Sequence, residues 1–388
     1  MARTKANKAP AKLRPLIALA VNDAWNIVNY RSRLVRALGE AGYRIAVLAP
    51  DGPHVPALRE LGADFVAVPM SPRGTSPIGD LRTLLAYRRA LAALQPAALL
   101  GFTSKPNIYG SLAAHALGIP VINNISGLGA VFANDNWLTR VVSTLYKAAL
   151  RRSATVFFQN RDDQGLFERR GLVKPGQTAL LPGSGIDLGH FAPAIRRRGG
   201  DGHTTFLFAA RLLWDKGVRE YVEAARKVRE RFPQARFRIL GMIEPPGRTT
   251  VPEADLRAWD AEGAIDFIGA ATDVRQAFAN ADCVVLPSYY REGVPRVLLE
   301  ASSMAIPIIT TDAPGCREAV DDGISGFLCE PRNVASLVAA IERMAALPAT
   351  KRKAMGSAAR AKMERQFRDE IVHRAYLTAL AELGISGQ

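Results

Sequence analysis

The sequence predicts an α/β protein made of two facing Rossmann-like domains. Three observations point there. Short apolar runs alternate with helical patterns along nearly the whole chain. A polar, basic, glycine-rich stretch at residues 193–203 interrupts that alternation near its middle. The chain has 388 residues, more than the about 250–300 that a single core usually organises.

In the first half, strands are expected at Leu16–Val21, Arg44–Ala49, Phe65–Pro69, Ala97–Phe102, Val121–Ile125, Thr155–Phe158 and Thr178–Leu181. A helical pattern from Tyr30 to Glu40 ends at Ala41-Gly42, where glycine suits a helix C-cap. In the second half, strands are expected at Thr205–Ala209, Arg236–Leu240, Ile265–Ile268, Cys283–Leu286 and Ile306–Thr310. Helices are expected between them at Val218–Arg231, Val274–Ala279 and Pro295–Met304, then at Val334–Leu347 and Thr350–Leu383. Strands alternating with helices make βαβ units, and hence parallel sheets covered by helices. The expected division is a basic tail at 1–14, a first domain at 15–192, a linker at 193–203 and a second domain at 204–366. A C-terminal helix at 367–388 is expected to return to the first domain. Two such domains form a small-molecule cleft.

Hydrophobic residues make up 48% of the chain and charged residues 22%, ordinary globular values. No segment approaches the roughly 18–20 apolar residues that span a bilayer. The run Leu16–Val21 follows a basic start, as in a signal peptide, but it is short and meets Asn22-Asp23 without a cleavage site. It reads as a buried strand. Cys283, Cys316 and Cys329 have no metal-type spacing, and three is an odd count. They read as free thiols of a reducing cytosol.

The formal charge of +15 is uneven: 23 Lys+Arg against 11 Asp+Glu in residues 1–190, and 28 against 25 in the rest. A basic half beside a near-neutral one suggests that the first half meets something anionic, although basicity also serves general solubility.

Two motifs carry the chemistry. The first is Ser288 to Glu300, which follows an apolar strand. Pro295 suits a first helical turn, so Glu292-Gly293-Val294 forms the loop at the helix start. That start offers free N–H groups and partial positive charge to a phosphate. Glu292 and Glu300 stand eight residues apart, about 12 Å along a helix, which exceeds the roughly 5–9.5 Å of a glycosidase carboxylate pair. They suit different parts of one extended ligand, Glu300 a ribose diol and Glu292 the sugar or the phosphate-proximal end. The second motif is Arg211 with Lys216-Gly217, placed after the first strand of the second half. A guanidinium fork and an ammonium there can neutralise a diphosphate without a metal. Asp162-Asp163 and Asp321-Asp322 lack the apolar strand context of a metal motif. Arg211, Lys216 and Glu292 are therefore the candidate catalytic residues.

With these residues the sequence resembles the family 4 glycosyltransferases of the GT-B fold. Pro307-Ile308-Ile309, Gly315 to Glu318 and Gly323 to Phe327 extend the resemblance. Asn22 to Asn26, Tyr30-Arg31, Lys105 to Gly110 and Ser126 to Phe132 resemble a bacterial subgroup that extends polyprenyl-diphosphate-linked glycans at the inner face of the cytoplasmic membrane. The resemblance implies retention of anomeric configuration, no metal and no cofactor, the sugar nucleotide being a substrate. It implies a donor site of Arg211, Lys216, Ile268, Gly269, Glu292, Gly293, Val294 and Glu300. Phe267-Ile268-Gly269 resembles the loop that frames the base. Some family members carry a histidine after the fifth strand, where this chain has Ser126. None of His54, His115, His190, His203 and His373 falls there. The departing phosphate can then take the acceptor proton.

On the first half, Arg31 and Lys105 are candidate acceptor-diphosphate ligands, and Ser126, Gly127 and Gly129 a candidate sugar loop. Gly127 and Gly129 also suit a plain turn. Trp137–Arg152 has Trp137, Val141, Leu145 and Ala148 at helical spacing and a basic end. It suits an anionic membrane surface or packing on the sheet.

The expected activity is transfer of a hexose or N-acetylhexosamine from a UDP-linked donor to a hydroxyl of a polyprenyl-diphosphate-linked glycan. The protein is expected to work peripherally on the cytoplasmic membrane, without nucleic acid. The alternatives are a sugar-nucleotide epimerase or hydrolase, and a basic scaffold or nucleic-acid binder. Base-stacking aromatic motifs, which the last would need, are absent from the sequence.

Overall fold

The central strands are runs of aliphatic residues buried on both faces, as helix-covered parallel sheets require. The computed structural model describes residues 14–71, 76–132, 137–193, 203–247 and 249–387. In the first half the strands are β1 (Leu16–Ala20), β2 (Arg44–Ala49), β3 (Asp64–Ala67), β4 (Ala98–Phe102), β5 (Val121–Ile125), β6 (Thr155–Phe158) and β7 (Thr178–Leu180). In the second they are β8 (Thr204–Ala209), β9 (Ala235–Leu240), β10 (Asp266–Phe267), β11 (Cys283–Leu286), β12 (Ile308–Thr311) and β13 (Gly326–Cys329). The first sheet has the order β3-β2-β1-β4-β5-β6-β7, and the second β10-β9-β8-β11-β12-β13. The strand pairs of both are parallel; β1, for example, sets Ala18 opposite Ala46 of β2 and Leu99 of β4.

The helices of the first half are α1 (Ala24–Tyr30), α2 (Ser32–Glu40), α3 (Val55–Glu60), α4 (Pro77–Leu94), α5 (Ser111–Ala116), α6 (Trp137–Leu150) and α7 (Arg161–Arg169). Those of the second are α8 (Val218–Arg231), α9 (Glu253–Ala261), α10 (Arg275–Ala279), α11 (Arg296–Ser303), α12 (Val334–Ala346), α13 (Ala349–Gln366) and α14 (Asp369–Glu382). Helix α8 buries Val218, Tyr221, Val222, Ala225 and Val228, a three-and-four spacing that puts one face into the core.

The chain gathers into two compact units. One holds residues up to 124, 148–155 and 375 onward; the other holds 125–147 and 156–374. The first unit has a core of Ala18, Ala20, Leu48, Tyr87, Leu91 and Leu99 among others. Its last segment joins that core. Tyr376 lies 5.9 Å from Phe102, ring to ring, and its hydroxyl accepts a 2.8 Å bond from Asn124. The second unit has its own core, in which Phe206, Phe237 and Tyr221 meet as rings.

The structure departs from the expected elements at three places. The helix expected over Tyr30–Glu40 is α2, which starts two residues later at Ser32; Arg31, at φ −136°, separates it from α1, which was not expected. The stretch expected as one helix over Thr350–Leu383 divides at Phe367-Arg368. There Phe367 accepts the Ile186 N–H and Arg368 bridges Ile186, so a tertiary contact overrides helix continuity. Strand β13 was not expected; it pairs with β12 from Ile308↔Gly326 to Thr311↔Cys329. Residues 1–13 of the basic tail and 194–202 of the linker lie outside the described residues. No helix among the described residues is long and apolar enough to cross a membrane. The three cysteines are unpaired and buried.

Candidate functional site

In the second sheet the strand order reverses between β8 and β11. In an open parallel sheet the crevice outside the carboxyl ends of strands at such a reversal is the usual ligand position; here the loops that follow β8 and β11 meet across it. Lys216 ends the short turn Trp214–Lys216 that follows β8, and Glu292 lies in the loop that follows β11. Gly217 lets the two loops meet. It has φ +81°, and a Cβ there would stand 2.2 Å from the Pro287 carbonyl oxygen. The Tyr289 and Tyr290 N–H groups both donate to the Asp215 carbonyl at 3.0 Å, which ties the loops together.

This packing joins the Lys216 ammonium to the Glu292 carboxylate. The Ser288 hydroxyl donates to the same carboxylate oxygen at 2.9 Å, and the ammonium lies 5.3 Å from the centre of the Tyr290 ring. Both charged side chains are nearly buried, so a ligand that reaches them meets charge little weakened by water. Burial and the nearby Glu292 push the Cys316 thiol up to about 12, which leaves it protonated and unreactive.

The loop carrying Glu292 is held from its other side by residues that precede it by more than a hundred positions. The Arg291 carbonyl accepts from the Gly129 N–H at 3.0 Å, and the Glu292 carbonyl from Asn160 at 3.1 Å. The Val294 N–H donates to Gln159 at 3.1 Å. Arg291 donates to Asp163 at 2.7 Å, and that carboxylate has no exposed surface. Burial raises the Asp163 pKa, with Arg291 and Asn160 opposing the rise. Gly127, at φ +104°, passes so close to Gly293 that a Cβ would stand 2.4 Å from its nitrogen.

Helix α11 starts at Arg296 after Pro295, with no side-chain cap. No side chain therefore fills its first turn, although the Leu298 N–H donates back to the Pro295 carbonyl at 3.1 Å. The Val294 N–H is already taken by Gln159. On α11, Glu300 pairs with Arg296 at 3.1 Å, and Arg296 also donates to the Gly185 carbonyl at 3.2 Å.

The structure thus brings Lys216, Glu292, Gly293, Val294, Ser126, Gly127 and Gly129 together. Arg211 follows β8 as an exposed side chain without an ion pair among the described residues. Ile268 and Gly269 follow β10; the Ile268 N–H donates to Ile239 and the Gly269 carbonyl accepts from Gly241, so these two main-chain groups are already occupied. The two candidate acceptor ligands lie in the first unit. Arg31 is buried, its guanidinium 4.3 Å over the Phe102 ring and bonded to Asn26. Lys105 pairs with Asp80 at 2.8 Å. It precedes a π-helical turn, Pro106–Gly110. His115 bonds the Ala149 carbonyl at 2.9 Å, a structural contact.

Sequence reasoning missed Ser288, Tyr290, Gln159, Asn160, Asp163, Arg291 and Arg296. Two of these left a readable trace. Arg296 and Glu300 have the spacing of a helical ion pair. Asn160, three residues before Asp163, is a helix N-cap, and its side chain accepts the Asp163 N–H at 2.8 Å.

Two family models match. Residues 195–362 match the glycosyl transferases group 1, and residues 27–184 match the glycosyl transferase 4-like domain. A Campylobacter jejuni protein named N,N'-diacetylbacillosaminyl-diphospho-undecaprenol alpha-1,3-N-acetylgalactosaminyltransferase is 26% identical over 327 residues, 80% of this chain and 84% of its own. An Escherichia coli UDP-Gal:alpha-D-GlcNAc-diphosphoundecaprenol alpha-1,3-galactosyltransferase is 26% identical over 71% of this chain and 73% of its own. The crystal structure of Anabaena HepE with UDP and glucose superposes with a TM-score of 0.76 at 18% identity, covering 95% of this chain and all of that one. This last likeness establishes the fold.

Proposed function

We infer that this chain, which belongs to the GT-B glycosyltransferases through its group 1 and 4-like domains, moves a hexose or N-acetylhexosamine from a UDP-linked donor to a hydroxyl of a polyprenyl-diphosphate-linked glycan. The observation that carries the reading is the Lys216–Glu292 pair at the β8/β11 crevice, beside an uncapped helix start. Within the pair each charge satisfies the other. A bound donor replaces that pairing: its diphosphate takes the ammonium, and its sugar hydroxyls donate to the carboxylate.

In this reading Lys216 and Arg211 neutralise the leaving diphosphate together with the first turn of α11. That supplies the charge without a metal. Glu300 accepts from the ribose, and Ile268 and Gly269 frame the base. Ser126, Gly127 and Gly129 border the sugar, with Ser126 placed where the main chain passes Gly293. The anomeric configuration is retained, and the departing phosphate oxygen takes the acceptor proton. Arg31 and Lys105 serve the acceptor side. The two relatives' names, which specify undecaprenyl-diphosphate-linked substrates, support the acceptor class. Peripheral contact with an anionic membrane on the cytoplasmic side follows from such an acceptor. On α6, Trp137 and Val141 are 74% and 47% exposed and available for it.

The test is a screen of sugar nucleotides for UDP release, with and without a lipid extract that carries acceptors. Release that requires the extract supports transfer. Release without it points to a hydrolase or epimerase. Absence of UDP binding by calorimetry would overturn the donor assignment.

A further inference from the structure

A carboxylate that recognises a ribose must be held still, and Glu300 is held by a side chain that the transfer chemistry has not used. Arg296, one turn earlier on α11, donates from Nε to Oε1 of Glu300 at 3.1 Å, which leaves Oε2 outside the pair. The same guanidinium donates from Nη1 to the Gly185 carbonyl at 3.2 Å and to the Ser184 hydroxyl at 3.4 Å. The turn that receives it is itself wedged in place. Gly185 has φ +76°, and a Cβ there would stand 2.5 Å from the Asp369 Cα. Its neighbour Ile186 donates to the Phe367 carbonyl at 2.8 Å and accepts the Asp369 N–H at 3.3 Å.

Helix stability does not account for this pair. Arg296 is the first residue of α11, the end where the helix dipole disfavours a cation. A base four residues before an acid is also the weaker orientation for a helical ion pair. Yet the pair is sheltered: its side chains are 18% and 14% exposed, against 75% and 46% for the Arg257–Glu253 pair of α9. We propose that Arg296 is a positioning residue for ribose recognition: it fixes the Glu300 carboxylate on the Ser184-Gly185 turn, and so sets the preference for a ribonucleotide over a deoxyribonucleotide donor. The proposal rests on the reading of Glu300 as the ribose ligand and names what makes that ligand selective. A glutamate without such an anchor gives up rotamer freedom each time it meets a ligand, whereas an anchored one has already lost it. An arginine suits the task because one planar fork can hold a carboxylate and a carbonyl together.

The full chain is to be titrated by calorimetry with UDP, 2′-deoxy-UDP and 3′-deoxy-UDP. The wild type should prefer UDP over at least one deoxy analogue by about tenfold or more, as expected for a hydrogen bond to a charged group. Arg296→Ala should shrink that preference about three- to tenfold, the effect of having to immobilise one long side chain on binding. In steady-state transfer the same variant should raise the donor KM by that factor and leave kcat near the wild-type value. Arg296→Lys keeps the charge without the fork and should recover part of the preference. If Arg296→Ala does not fold, Arg296→Lys carries the test: a preference below that of the wild type supports the proposal, and an undiminished one overturns it. In a background of Glu300→Ala, the change Arg296→Ala should remove no further preference, and an additive loss overturns the proposal. Equal weakening of UDP and of both deoxy analogues by Arg296→Ala would assign the guanidinium to the diphosphate and overturn it as well. If Glu300→Ala erases the preference and Arg296→Ala does not, the proposal falls and the ribose reading stands. A wild type without any preference removes both.

Discussion

The two sheets reverse strand order at equivalent places, between β1 and β4 in one and between β8 and β11 in the other, yet the residues there differ in kind. After β1, the Asp23 side chain accepts the Trp25 N–H at 2.8 Å and fills the start of α1 with its own carboxylate. After β8 and β11, neither α8 nor α11 has a side-chain cap. After β4, Lys105 is committed to Asp80, and Arg31 is pressed onto Phe102 at the strand's end. After β11, Glu292 meets the lysine of the other loop. Topology supplies a crevice in both cases. What can bind is decided by which helix starts are already satisfied and which charges are shared across the two loops.

Four substitutions test that contrast, from the largest expected effect to the smallest. Arg291→Ala leaves Asp163 buried without its cation and should cost about 3–5 kcal/mol of stability in chemical denaturation. The sign of its pH dependence follows from Asp163. Burial already raises that carboxyl's folded-state pKa, and loss of Arg291 raises it further. A group that binds its proton more tightly when folded gains stability as pH falls through the folded value. The deficit should therefore shrink as the pH is lowered and grow as it is raised, and the opposite trend would contradict the assignment. Lys216→Ala should slow transfer by about 10²–10³, or roughly 2.7–4 kcal/mol, in steady-state assays. Near wild-type turnover would mean that the β8/β11 crevice is not where charge is stabilised.

Glu300→Ala should raise the donor Michaelis constant by about 1.5–3 kcal/mol equivalent with little change in turnover, as expected for one charged hydrogen bond. An unaltered constant would remove Glu300 from the donor. Asp23→Ala should cost about 0.5–2 kcal/mol of stability by uncapping α1 and leave UDP affinity untouched. If UDP affinity falls as well, the two reversals are not chemically distinct.

Much of this architecture was readable from residue patterns. Strands β2, β5, β6 and β11 lie where their apolar runs end. Strand β13 was not, because Gly326-Phe-Leu-Cys329 opens on a glycine and follows a turn-like polar segment. Lys216 and Glu292 were identifiable as separate signals, since each follows an apolar strand and precedes a helix. Their direct pairing was not, because 76 residues separate them and the contact depends on Gly217 lying against Pro287. The bracing of the Glu292 loop by Gln159, Asn160 and Asp163 was hidden for the same reason. Local pattern can announce a helix cap at Asn160, but not that its amide also reaches a carbonyl 132 residues away.

The hydroxyl of Tyr376 under β5, and the bond from Tyr43 to the Ile385 carbonyl at 2.8 Å, have a consequence for biosynthesis. Phe102 and Asn124 wait for Tyr376, made some 250 residues later, before their shared interior is sealed. While the ribosome is still adding the middle of the polypeptide, Phe102 and Asn124 are without the aromatic ring that will cover them. A nascent chain arrested before that ring emerges should therefore be cut by protease in its earliest-made portion.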